Sequence, residues 1–240
     1  MKTLELLDIR NVLTLGVQHI EGEFIEIYEK CRDYTMTSVE RMYSLYKAIK
    51  YVVRYRVYGD MVECGVWKGG SSMMMALTLI RMNEIGRKIY LYDTYRGMSA
   101  PTDEDVDYRS RPAKEEWLSM QGKDFNKWSY ASLGLVKANM LSTGYPHKNI
   151  IFVKGKVEKT IPSVIPERIA ILRLDTDWYE STYHELTHLF PRLSMGGVLI
   201  IDDYGYWKGA KKTTDKYFTE NEIKISLEKI DFTGRIAIKV

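Results

Sequence analysis

The residues of this chain best placed to do chemistry are carboxylates that end apolar runs, together with one glycine-rich turn. Glu63 lies in Asp60-Met-Val-Glu-Cys-Gly-Val-Trp-Lys-Gly-Gly-Ser-Ser72, where a short apolar run breaks at Gly65, Gly69 and Gly70 and then continues into Met73 to Ile80. That pattern predicts strand, tight turn, helix. Glycine lets a ligand approach the backbone closely, and the free N–H groups of the new helix point into the same gap. A dinucleotide turn would read G-x-G-x-x-G without an acid, since pyrophosphate would be repelled; here only Gly65 falls on that register. An acid at this place suits a cofactor that is cationic at its amino-acid end. S-adenosylmethionine, with an α-ammonium and a sulfonium, has that chemistry, whereas a plain βα turn with a surface acid is the competing reading.

Asp93 ends the run Lys88-Ile-Tyr-Leu-Tyr-Asp93. In a doubly wound fold such an acid stands beside the ligand crevice and can accept both ribose hydroxyls. Two further runs also end in acids: Ile169-Ala-Ile-Leu-Arg-Leu-Asp175, followed by Asp177, and Gly-Gly-Val-Leu-Ile-Ile before Asp202 and Asp203. Ligands bind outside the carboxyl ends of parallel strands, so these acids are expected to converge with Glu63 and Asp93. Several carboxylates in one pocket raise each other's pKa and call for a counter-charge. A divalent cation supplies it, and all-oxygen ligation points to Mg²⁺, Mn²⁺ or Ca²⁺. Capping of helix N-termini is the competing role, most plainly for Asp177.

Two other groups were weighed against these. His184-Glu185-Leu186-Thr187-His188 matches H-E-x-x-H, but a zinc protease also needs a downstream ligand and an edge-strand groove. This segment falls between two buried strands, which predicts a helix packed on the sheet with one histidine satisfied at its surface. The acids Asp103, Glu104, Asp105 and Asp107 lack the spacing and closing glutamate of a calcium loop and read as a solvated lid.

The elements that position these residues follow from periodicity. Residues 1–58 read as a helical extension; Thr37 and Glu40 fit a capping box, and Val39, Met42, Tyr43, Leu45, Tyr46, Ile49, Val52 and Val53 recur at helical spacing. The tyrosines at 43, 46, 51, 55 and 58 read as packing residues. Strands are expected at Met61–Val66, Lys88–Asp93, Asn149–Lys154, Ile169–Asp175 and within Met195–Tyr204, the fourth so apolar that both its faces should be covered. Residues 94–146 are too long for a plain connection and read as a lid laid over the site. Ile223–Ile230 and Arg235–Val240 read as an edge hairpin.

Composition narrows the class. A chain of 240 residues, 45% hydrophobic and 28% charged, is ordinary for a single α/β domain. A net charge of +3 with scattered basic residues gives no sign of nucleic-acid binding. Cys31 and Cys64 match neither a disulfide framework nor a zinc pattern, so both are expected reduced. No run reaches the roughly 18 to 20 apolar residues of a membrane span, and the acids in Met1–Asp8 do not suit a signal peptide, so cytoplasm is the expected compartment. The apolar excess of the N-terminal helices predicts a homo-oligomer.

Taken together, Val-Glu-Cys-Gly-Val-Trp-Lys-Gly-Gly-Ser, Tyr-Asp-Thr-Tyr-Arg-Gly-Met, Leu-Arg-Leu-Asp-Thr-Asp-Trp-Tyr-Glu-Ser-Thr, His-Leu-Phe-Pro-Arg-Leu and Gly-Gly-Val-Leu-Ile-Ile-Asp-Asp-Tyr-Gly resemble the macrocin O-methyltransferase family, from about Tyr34 to Tyr217. The resemblance implies a class I methyltransferase, Rossmann-like and doubly wound, with a mostly parallel seven-stranded sheet covered on both faces. It implies S-adenosylmethionine and Mg²⁺ as cofactors and a saccharide or other small-molecule acceptor. Carried over by motif, Glu63, Gly65, Ser71 and Asp93 would hold the cofactor, joined in the same turn by Cys64 and Gly69. Asp175, Asp202 and Asp203 would hold the metal, and Asp175 or Asp177 would be the base. Methylation of a catechol-like hydroxyl, or a non-catalytic binding role, are the rival functions.

Overall fold

The structure, a computed structural model, describes residues 21–240. The helical reading of residues 1–20 and the signal-peptide reading of Met1–Asp8 lie outside the described residues. The chain runs α1 (Gly22–Cys31), α2 (Val39–Arg54), β1 (Asp60–Cys64), α3 (Gly70–Arg81), β2 (Ile89–Asp93), α4 (Ala113–Ser119), α5 (Leu133–Ser142) and β3 (Ile150–Lys154). It continues through α6 (Val157–Thr160), β4 (Ile169–Leu174), α7 (Tyr179–Leu189), β5 (Leu193–Ile201), α8 (Lys208–Glu220), β6 (Glu228–Lys229) and β7 (Arg235–Ile238).

The seven strands form one sheet in the order β3-β2-β1-β4-β5-β7-β6, parallel from β3 to β5, with β7 antiparallel to both of its neighbours. The order reverses between β1 and β4, which opens a crevice at their carboxyl ends. Their register sets Glu63 beside Arg173 and Cys64 beside Leu174. The expected terminal hairpin forms at the sheet edge, with β6 antiparallel to β7. β7 inserts between β5 and β6, because Ile236 and Ala237 are apolar enough to be buried at that position.

Two buried clusters cover the sheet. On one face α1, α2 and α3 pack Phe24, Met42, Tyr46, Ile49 and the Met73-Met74-Met75 triplet against strand residues such as Ile171 and Ile200. On the other, Leu186, Leu189 and Tyr217 pack against Val62, Leu172 and Leu199. The methionines are thus packing residues. The apolar surface of α2 that suggested a homo-oligomer is largely covered within the chain, since Tyr43, Tyr46 and Tyr51 are buried and only Tyr55 and Tyr58 stay exposed.

The capping box reading is corrected by one residue. Ser38 caps α2, its Oγ accepting from the Arg41 N–H at 3.2 Å, while Thr37 turns its hydroxyl inward to Arg173 Nη2 at 3.0 Å. Residues 94–146, expected to form a lid, hold α4 and α5, and the acids there are not all solvated. Asp105 is fully buried and accepts from the Tyr179 N–H at 2.7 Å, pinning the lid to the start of α7. No described helix is long and apolar enough to cross a membrane.

Candidate functional site

At the carboxyl ends of β1, β2, β4 and β5 lies a cavity of about 410 Å³. Among the residues expected at the site, Glu63, Gly65, Ser71, Asp93, Asp175, Asp177, Asp202 and Asp203 line it. Cys64 and Gly69 do not. The Cys64 side chain points to the opposite face of the sheet, where burial and the Glu185 carboxyl push its thiol well above the usual range. Gly69 is the left-handed N-cap of α3, at a φ of 95°, and faces Val136 of α5. Gly65 earns its place by close approach, because a Cβ there would lie 1.8 Å from the Asp175 carbonyl oxygen. β1 and the turn after β4 can close around one cavity only if that residue has no side chain.

On the β1–β2 side, the Asp93 carboxylate accepts from the N–H groups of Val66 at 2.8 Å, Trp67 at 3.1 Å and Tyr95 at 2.6 Å. It thereby fixes the glycine-rich turn; burial raises its pKa while those N–H bonds oppose the shift. Ser71 is buried at the second residue of α3, its Oγ facing Met42 Sδ at 3.7 Å. Glu63 is 1% exposed. Its Oε2 accepts from the Ser72 hydroxyl and its Oε1 from Arg173 Nη1 at 2.8 Å. Burial pushes this carboxyl up to about 7 although Arg173 and Ser72 oppose the shift.

Arg173 is the centre of the site. The same Nη1 reaches Asp175 Oδ2 at 2.6 Å, and Nη2 reaches Asp202 Oδ1 at 2.6 Å. Burial works against its charge, but Asp175, Asp202 and Glu63 hold the guanidinium firmly protonated. Asp202 also pairs through Oδ2 with Arg41, which reaches on to Asp231 Oδ2 at 2.9 Å. Asp177 Oδ1 accepts from Trp207 Nε1 at 2.9 Å. Burial, reinforced by Asp175, pushes Asp177 up to about 7. Asp203 is raised well above the usual carboxylate range by burial, then by Asp177 and Asp175. Its Oδ2 is buried without a hydrogen-bond partner.

The carboxylates that come together are Asp175, Asp177 and Asp203, with one oxygen from each lying within 4.8 Å of the others. Asp202, also expected at the metal, lies outside this group, and its two oxygens face the Arg173 and Arg41 guanidinium groups. The set fits a hard divalent ion: all its donors are oxygens, and a buried carboxylate oxygen without a partner is costly unless a cation or proton satisfies it. The His184 ring instead meets the Ile161 carbonyl oxygen at 3.0 Å and lies tilted by 56° against His188, with ring centroids 4.4 Å apart.

Sequence reasoning passed over Arg41, Arg173 and Trp207. Arg173 had a visible mark, a charge inside an otherwise apolar strand, and such a residue is almost never fully buried unless paired. Arg41 and Trp207 carry none, since their partners lie far off in the chain. Trp207 belongs to a wall of three indoles with Trp128 and Trp178, centroids 5.0 to 6.0 Å apart, through which the lid meets Asp177.

The chain is 33% identical over 201 residues to the 8-demethyl-8-(2,3-dimethoxy-alpha-L-rhamnosyl)-tetracenomycin-C 4'-O-methyltransferase of Streptomyces olivaceus, which covers 84% of this chain and 74% of that protein. It is 30% identical over 220 residues to the mycinamicin III 3''-O-methyltransferase of Micromonospora griseorubida, covering 89% and 84%. The solved structure of the O-methyltransferase NovP superposes with a TM-score of 0.74 at 26% identity over the full length of both chains. Residues 30–237 match the family described as Macrocin-O-methyltransferase (TylF), and the chain therefore belongs to the macrocin O-methyltransferase family.

Proposed function

We propose that this chain transfers the methyl group of S-adenosylmethionine to a hydroxyl of a sugar or glycosylated small molecule, with Mg²⁺ held at the carboxylate cluster. The observation that carries the reading is one cavity with two differently equipped sides. Glu63, Asp93 and the glycine-rich turn stand on one side, and Asp175, Asp177 and the partnerless Asp203 oxygen on the other. The sugar follows from the rhamnosyl group named in the activity of the Streptomyces olivaceus relative.

Asp93 would take the ribose hydroxyls, and Glu63 would face the amino-acid end of the cofactor, its charge shared with Arg173. Asp175 and Asp203 would hold the cation, since Mg²⁺ is commonly bound through one or two carboxylates with water and substrate oxygens completing the shell. When bound, the ion lowers the pKa of the acceptor hydroxyl and fixes its oxygen. Asp177 takes the hydroxyl proton. Trp207 Nε1 occupies one Asp177 oxygen and leaves the other for the transfer, and a carboxyl near 7 suits a base at neutral pH. The three indoles beside it keep water from the reacting atoms. Holding sulfonium and hydroxyl in line accounts for much of the remaining acceleration.

The test combines binding with transfer. S-adenosylhomocysteine should raise the melting temperature where NAD does not, and label from methyl-labelled S-adenosylmethionine should appear in an alkali-stable ether when glycosylated small molecules are offered. Stabilisation by NAD alone, or label confined to non-sugar hydroxyls, would overturn the reading.

A further inference from the structure

Glu185 is the acid of the H-E-x-x-H match that the proposed reaction does not use, and it is fully buried. On α7 it sits two turns into the helix, and both its carboxyl oxygens face the Thr176 hydroxyl, at 3.0 and 3.1 Å. Thr176 separates Asp175 from Asp177. Asp177 is held at a φ of 69°, a left-handed conformation that costs energy for a residue with a side chain and persists only where its surroundings impose it. Backbone bonds tie the turn at its ends, Asp175 N–H to the Cys64 carbonyl at 2.9 Å and Trp178 N–H to the Thr176 carbonyl at 2.8 Å, and Arg173 and Trp207 hold the Asp175 and Asp177 carboxylates; the Thr176 hydroxyl is held by Glu185.

We propose that Glu185 is a positioning residue for the methyl transfer: from α7 it clamps the Thr176 hydroxyl and so holds the Asp175-Thr176-Asp177 turn in the conformation that brings Asp175 and Asp177 to Asp203. A leucine would fill this place in the helix without the cost of burying an acid, so what the carboxyl adds is its hydrogen bond to the turn. Burial, joined by Glu158 and Asp175, raises the Glu185 carboxyl well above the usual range, and glutamine, of the same shape and with an oxygen that can accept from the Thr176 hydroxyl, is its isostere. The clamp rests on the reading of Asp175 and Asp203 as cation ligands only for its consequence, not for its existence.

The experiment uses the full chain and two readouts. In metal-free protein, amide hydrogen exchange over residues 175–178 is compared for wild type, Glu185→Leu, Glu185→Gln and Thr176→Val. Exchange should quicken about tenfold or more in Glu185→Leu and Thr176→Val and stay near wild type in Glu185→Gln. MgCl₂ is then titrated calorimetrically in the presence of S-adenosylhomocysteine. Groups that orient metal ligands typically change metal affinity by about 10 to 100-fold when removed. The same two variants should lose affinity in that range while cofactor affinity holds, and the double variant should lose no more than either single. If Glu185→Leu does not fold, Thr176→Val reports on the same bond from its other end. Wild-type exchange at the turn in Thr176→Val, or a Glu185→Gln variant as impaired as Glu185→Leu, overturns the clamp. A wild type that binds no Mg²⁺ sinks the metal reading instead, with the exchange data still deciding the clamp.

Discussion

Arg173 and Glu63 stand side by side on adjacent parallel strands, Nη1 2.8 Å from Oε1, with both side chains about 2% exposed. This pair joins the two halves of the site, because the same guanidinium also holds Asp175 and Asp202. A guanidinium among three acids, two of them buried, removes much of the repulsion that would otherwise keep β1, β4 and β5 from presenting carboxylates to one cavity. The arrangement leaves Asp203 without a bond from this guanidinium, and its Oδ2 has no hydrogen-bond partner; the proposed cation would sit there.

Arg173→Met should therefore destabilise the metal-free protein by about 3–5 kcal/mol, the usual cost of breaking a buried pair from one side. Denaturant unfolding at neutral pH measures it. A loss below about 1 kcal/mol would show that the acids find other compensation.

Asp93→Asn should weaken S-adenosylhomocysteine binding about tenfold or more, since hydrogen bonds to a charged group contribute about 1.5–3 kcal/mol each and the substitution also sets an amide N–H₂ against the N–H groups of Val66, Trp67 and Tyr95. Mg²⁺ affinity should hold. Calorimetric titration of both ligands distinguishes this from general damage, which would lower the two together.

Asp202→Asn and Asp203→Asn should shift metal-free stability at pH 8 in opposite directions. The first weakens bonds to Arg173 and Arg41; the second removes a buried acid with an unpartnered oxygen. Melting temperature should fall for Asp202→Asn and rise for Asp203→Asn, while Mg²⁺ affinity drops further in Asp203→Asn. Equal destabilisation by both would contradict the division of roles drawn between them.

The pH dependence follows from the raised carboxyls. Glu63 and Asp177 stand at about 7 in the folded metal-free protein against ordinary values of 4.5 and 3.8. The folded state thus binds more protons than the unfolded state across that window, and stability falls as pH rises from about 4 to about 7. Mg²⁺ replaces the proton on Asp177, so its stabilising effect should be small at pH 5 and large at pH 8, as thermal melts with and without the ion can show. Methyl transfer should rise with pH as Asp177 ionises, and the rise should move to lower pH as Mg²⁺ is increased, because the cation favours the carboxylate. A rate profile flat between pH 5 and 8 at limiting Mg²⁺ would remove Asp177 as the base.

The acid-ended strands, the glycine turn and the parallel sheet were legible because each is local: apolar runs of strand length that stop at an acid or at glycine. Which acids meet was not legible. Asp202 and Asp203 are neighbours in sequence, yet one faces Arg173 and Arg41 and the other Asp175 and Asp177, because successive side chains at a strand end point to different sides. Cys64 left the site for the same reason, one position from Glu63 on β1. Thr37 looked like a cap, but the Arg173 guanidinium, far away in the chain, is a stronger attraction for its hydroxyl than a helix N–H.

The most direct test of the account is methyl transfer from labelled S-adenosylmethionine to a glycosylated acceptor, measured with Mg²⁺ and again after excess chelator, in wild type and Asp203→Asn. The account predicts transfer by the wild type with Mg²⁺, loss on chelation, recovery when the ion is returned, and little transfer by Asp203→Asn at any Mg²⁺ concentration. Undiminished transfer in chelator, or full activity in Asp203→Asn, would contradict a cation at the carboxylate cluster.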